Sequence, residues 1–137
     1  MSEATPGGLR GEVEAAAAGL LYTSEGDHPL TWFQLPGGAA AWPMDASAFA
    51  TRAGAPPSPA EEVPIDRFFA RHIESADPAD SVMQEARPRF QALKSLLATR
   101  LRDPRVFRLG SVEVQCFVVG DDGAGNVAGV RTVSIET

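Results

Sequence analysis

The side chains of this sequence best suited to chemistry are acids: Glu25 and Asp27 in a polar turn, and Glu136 one place from the last residue. Two carboxylates held a few ångströms apart can serve as general acid and base. Sequence fixes no distance between them, and acids in turns are mostly solvated. The partners such chemistry needs are missing. His28 and His72 are far apart, with no H-x-x-x-H or C-x-x-C near either, so no zinc pattern forms. Cys116 sits inside an alternating apolar run, where a thiol packs as a small hydrophobe instead of reacting. Gly120–Asn126 is glycine-rich but lacks Lys-Ser/Thr and joins two strand patterns, so it reads as a turn and not a phosphate loop. The expectation is a protein that acts by binding, without catalysis and without a cofactor of its own.

The elements that must position these acids can be read from periodicity. Residues 1–11 read as a flexible N-terminus, and 12–137 as one domain. Glu12–Leu21 is rich in helix formers, with Val13, Ala16, Ala17, Leu20 and Leu21 on one face and Glu12 and Glu14 at the positive N-terminal end. Thr23–Pro29 is a polar turn carrying Glu25, and Leu30–Leu35 a strand stopped by Pro36-Gly37-Gly38. Residues 36–64 are poorly legible; Ala46–Arg52 fits a short helix and Gly54–Pro59 a loop.

Asp66–Ile73 reads as a helix with Asp66 as N-cap. Val82–Arg102 gives a longer one whose apolar stripe is Met83, Ala86, Phe90, Leu93, Leu97 and Leu101. Pro88 implies a kink there, or a true start near Ala86–Pro88. Asp103-Pro104 ends it. The last third is β: Val106–Leu109, Val112–Val119, a Gly120–Asn126 hairpin loop, and Val127–Ile135. Val112, Val114, Cys116 and Val118 share one face of their strand. Helices followed by antiparallel strands argue an α+β fold with helices packed on the sheet.

Charge narrows the partner. With 18 acids against 12 bases the formal net charge is -6, so nucleic acid would repel this chain and a basic protein surface would attract it. One cysteine allows no internal disulfide, which suits a reducing compartment. No basic signal segment opens the sequence, and no apolar run is long enough to span a bilayer, so the expected location is cytoplasmic, away from membranes.

Three blocks of the sequence resemble the nuclease A inhibitor family. The first is Gly19-Leu20-Leu21-Tyr22-Thr23-Ser24-Glu25 with Pro29 and Phe33. The second is Ile65-Asp66 with Phe68-Phe69. The third, and most specific, is Phe90–Thr137, with D-P-R-V-F-R-L-G-x-V-E-V, V-x-G-x-x-x-A-G-N-x-A-G and the closing Glu136-Thr137 in family order.

The resemblance implies a three-layer α/β/α sandwich with a mainly antiparallel sheet, and a monomeric inhibitor. Its target would be a ββα-metal endonuclease that cleaves DNA and RNA with bound magnesium. It also implies contact residues. Glu25 would stand in for the scissile phosphate, and the hydroxyl of Thr137 would ligate the nuclease's magnesium in trans, with Glu136 beside it. The family's Asp-Trp contact aligns with Asp77-Pro78, so the acid is kept and proline stands in place of tryptophan. The alternative that composition and size leave open is an acidic chaperone or adaptor for a secreted effector.

Overall fold

The computed structural model describes residues 8–55 and 59–137. Residues 1–7 and 56–58 lie outside them, and with them most of the expected N-terminal segment and the middle of the Gly54–Pro59 loop. The rest is a mixed α+β fold of four α-helices, a two-stranded hairpin and a five-stranded antiparallel sheet.

Helix α1 spans Gly8–Ala17, four residues earlier at each end than the periodicity suggested. Glu12 and Glu14 therefore lie in its middle, and its first turn holds no acid. Val13, Ala17 and Leu20 are buried as expected, whereas Leu21 is 47% exposed. It leaves the helical face because the chain turns at Gly19, in left-handed conformation, and enters a strand. The stretch read as a turn is a tight hairpin of β1 (Leu21–Thr23) and β2 (Asp27–Pro29), with residues 24–26 at its tip.

The main sheet has the order β3-β7-β6-β5-β4. Its strands are β3 (Thr31–Leu35), β4 (Ala60–Val63), β5 (Arg102–Leu109), β6 (Glu113–Asp121) and β7 (Val127–Ile135). The strand β4 escaped the periodicity reading because it is only four residues long, with exposed Glu61 and Glu62; charge on a short edge strand discourages pairing with other chains. The Asp103-Pro104 pair does not close a helix but sits within β5, where the register slips between Arg102 and Arg105. Val112 lies outside β6 and is 54% exposed, so it leaves the apolar face assigned to it.

The inner strand β6 is buried on both faces, which explains its run of apolar residues. Val114, Cys116 and Val118 enter one core cluster with α1, α3 (Ile65–Ala70) and α4 (Ser81–Arg100). Phe117 and Val119 enter a second with α2 (Ala46–Ala53). Fully burying one such phenylalanine contributes about 1.5–3 kcal/mol, and Phe49, Phe107 and Phe117 meet in the second cluster with ring centroids 4.8 and 5.0 Å from Phe49.

Helix caps differ from the sequence reading. Pro64 occupies the N-cap of α3 and makes no side-chain bond; Asp66 lies inside the first turn and pairs with Lys94 of α4 at 2.8 Å. Asp80 caps α4, accepting from Val82 N and Met83 N. Pro88 is inside α4, so the helix does not begin there. The proline is exposed, and its missing N–H leaves only the solvent-side carbonyl of Gln84 without a helical donor. Along the stripe, Phe90, Leu93, Leu97 and Leu101 are buried while Met83 and Ala86 are half-buried.

Candidate functional site

The tip of the β1–β2 hairpin is tied to the end of β7 by one side chain. Ser24 Oγ accepts from the backbone N–H of Ile135 at 2.9 Å and donates to Gly26 O at 3.1 Å. A weaker bond runs from Glu25 N to Ile135 O, 3.4 Å. Behind the tip, Thr23 N donates to His72 Nε2 at 3.0 Å, and Arg71 donates to Thr23 O at 2.8 Å. The hairpin is thus held from the sheet side and from the segment after α3.

These ties bring Glu25 and Thr137 together across most of the chain. Thr137 donates to the Glu25 carboxylate twice, from its N–H at 3.0 Å and from its hydroxyl at 2.5 Å. The hydroxyl bond, and then the N–H bond, hold the Glu25 carboxyl below its ordinary pKa. Glu25 is exposed and has no cationic partner among the described residues. Its charge is fixed in position but not neutralised.

Glu136 faces differently. Its backbone N–H donates to Val112 O at 2.8 Å, and its carboxylate accepts from Arg108 at 2.5 and 2.6 Å and from Ser134 Oγ at 2.9 Å. The Arg108 guanidinium is the leading cause that lowers the Glu136 pKa. Arg108 also meets Glu61, its cross-strand partner on β4, at 3.1 Å. Glu136 therefore anchors the segment that carries Thr137, and much of its charge is offset.

Asp77 lies outside this cluster. Its carboxylate accepts from Ala79 N at 2.9 Å, and its carbonyl accepts from Asp80 N and from the Gln84 side chain, 3.0 and 3.1 Å. It is exposed and rigidly attached to the start of α4. No group of three or more His, Cys, Asp or Glu among the described residues could hold a metal ion. Cys116 is buried, and burial pushes its thiol up to about 11, the state of an unreactive core cysteine.

A model of the family described as nuclease A inhibitor-like protein matches residues 8–137. The chain belongs to that family. The matched span takes in the hairpin tip, Asp77 and Glu136-Thr137, so the nuclease A inhibitor-like family accounts for the whole described fold. No match was found among curated proteins. Among the described residues no helix is long and apolar enough to cross a membrane.

Sequence reasoning had reached Glu25, Thr137 and Glu136 but not the residues that hold them. Ser24 carried a signal, as the serine of the family's L-L-x-x-S pattern. Arg108, Arg71 and His72 carried none, because their roles arise from strand pairing and helix packing that no local spacing reveals.

Proposed function

We propose that this protein inhibits a magnesium-dependent endonuclease of the ββα-metal type by inserting the Glu25–Thr137 pair into its active site. The observation that carries the reading is the pair itself: an exposed, ionised carboxylate, locked by two donors and without a cationic partner among the described residues. A phosphate-binding cleft beside a divalent cation is complementary to such a group, which has the charge of a phosphodiester but no bond to cleave. Pre-ordering spares the entropy of fixing the side chain on association.

The hydroxyl of Thr137 suits the companion role. Its proton is committed to Glu25, which leaves the oxygen lone pairs for an external cation. Magnesium takes hard oxygen ligands and keeps several waters, so a hydroxyl can replace one water with little geometric change. Glu25 would then orient the ligand as outer-shell carboxylates orient metal ligands generally. Helices on both faces of the sheet, seen in the two core clusters, support the three-layer α/β/α arrangement for the scaffold. Asp77, on the α4 side of the hairpin, supplies a separate contact.

The test is inhibition by Glu25→Gln, which keeps shape and hydrogen-bond acceptance but removes the charge. Dissociation from the nuclease should quicken by roughly thirtyfold or more, with association less affected. Unchanged dissociation would place Glu25 outside the contact.

A further inference from the structure

On the same side of the sheet as the hairpin, a cavity of about 450 Å³ opens between β1, β4, β5 and α3. In a chain whose net charge is -6, three guanidiniums line it: Arg67, Arg71 and Arg108. Glu61 is the one acid in its wall. Charges beyond about 8 Å are largely screened at physiological salt, so this local excess of cations, and not the net charge, governs what enters.

The three arginines are incompletely used by the fold. Arg67 makes no ion pair or hydrogen bond among the described residues. Arg71 donates to Thr23 O and stands 5.9 Å over the Tyr22 ring, which leaves most of its five donors free. Arg108 alone is engaged on two sides, by Glu61 and Glu136. The wall also offers Tyr22 and Ser75 hydroxyls with no hydrogen-bond partner among the described residues. Beside these polar groups stand Val63 and Phe68, the latter stacked on Tyr22 at 4.8 Å.

We propose that this cavity binds a small organic phosphomonoester of nucleotide-like shape, with its phosphate on Arg67 and Arg71 and its organic part in the remaining volume beside them. Planar guanidinium forks match phosphate oxygens two at a time. The cavity volume falls in the range of small-molecule sites. Inorganic phosphate, a few times the roughly 30 Å³ share of one water, would leave most of the cavity empty. This assignment stands apart from the inhibitory reading, since it uses neither Glu25 nor Thr137. It does touch that region through Arg108: an anion drawing this guanidinium inward weakens its hold on Glu136, the neighbour of Thr137.

The experiment is calorimetric or NMR titration of the full chain with AMP, adenosine and inorganic phosphate in parallel. AMP should bind saturably below about 1 mM, and more tightly than either fragment. Arg67→Glu, at an exposed position with no ion pair or hydrogen bond among the described residues, should weaken AMP by roughly tenfold or more. Glu61→Gln removes the opposing acid and should tighten AMP several-fold. Adenosine binding as well as AMP would overturn the oxyanion assignment, and phosphate binding as well as AMP would overturn the organic part. AMP affinity unchanged in both variants, or no saturable AMP binding, would overturn the site.

Discussion

Thr137 places both its backbone N–H and its hydroxyl on the carboxylate of Glu25, at 3.0 and 2.5 Å. The pairing joins a hairpin tip near the start of the chain to the residue after Glu136. It also makes each residue the other's positioning element, so a change in either should be readable at its partner.

The first expectation concerns the free protein. The Thr137 hydroxyl is the main cause that lowers the Glu25 pKa, with the N–H second. Thr137→Val keeps the shape and the N–H but deletes the hydroxyl. The Glu25 pKa should move back up toward the ordinary carboxylate value, read from the pH dependence of its side-chain carboxyl carbon by NMR. A depressed carboxyl stabilises the fold above its ordinary pKa and loses that contribution as pH falls through the lowered value. In the variant the contribution should shrink, while core resonances stay in place. An unmoved Glu25 titration would show that the hydroxyl contact is not populated in solution.

A second expectation follows from His72. It is buried, stacks on Phe90 with centroids 4.2 Å apart, and accepts from Thr23 N through Nε2. The neutral ring therefore carries its proton on Nδ1, which has no partner among the described residues. Burial, with Arg71 nearby, lowers its pKa to about 4. The unfolded histidine protonates near pH 6.5, so between about 6.5 and 4 the unfolded state binds the extra proton. Stability should be fullest above that window and fall as pH drops through it, by at most about 1.4 kcal/mol per pH unit. His72→Phe should flatten this slope in denaturant melts recorded at successive pH values. An equal slope in wild type and variant would assign it to other groups.

These two sites mark where sequence reading succeeds and where it stops. The strand Val127–Ile135 was legible to the residue because it is rich in β-branched residues and follows the clear turn signal Gly120–Asn126. The buried stripe of α4 was legible because Phe90, Leu93, Leu97 and Leu101 recur at helical steps. Glu25 and Thr137 were reached through family resemblance, not through spacing, since 112 residues separate them. The helix α1 was misplaced because an alanine-rich run is helix-favourable throughout and offers no boundary; the boundary is set by Gly19 and by hairpin pairing. Arg108 was invisible for a similar reason: its partners are Glu61 on β4 and Glu136 just past the end of β7, which meet it only in the folded protein.

A third expectation concerns Pro78. It is exposed beside Asp77, at the position where the resemblance implies a tryptophan contact. Tryptophan is an enriched interface anchor, worth about 2 kcal/mol or more where it is buried on binding. Pro78→Trp should therefore tighten the complex by roughly tenfold or more, chiefly through slower dissociation, and leave the melting temperature of the free protein nearly unchanged. No gain in affinity would show that the Asp77 loop stays outside this interface.

The most direct measurement is titration of a magnesium-dependent, sugar-non-specific endonuclease with the purified protein, following cleavage of DNA and RNA side by side. Both activities should fall linearly and together to zero at one inhibitor per nuclease, because a plug in the active site blocks either substrate. Thr137→Val should fall short of that end point. Full cleavage of both substrates at roughly 1 µM protein, across a panel that includes the nucleases of the same genome, would contradict the account.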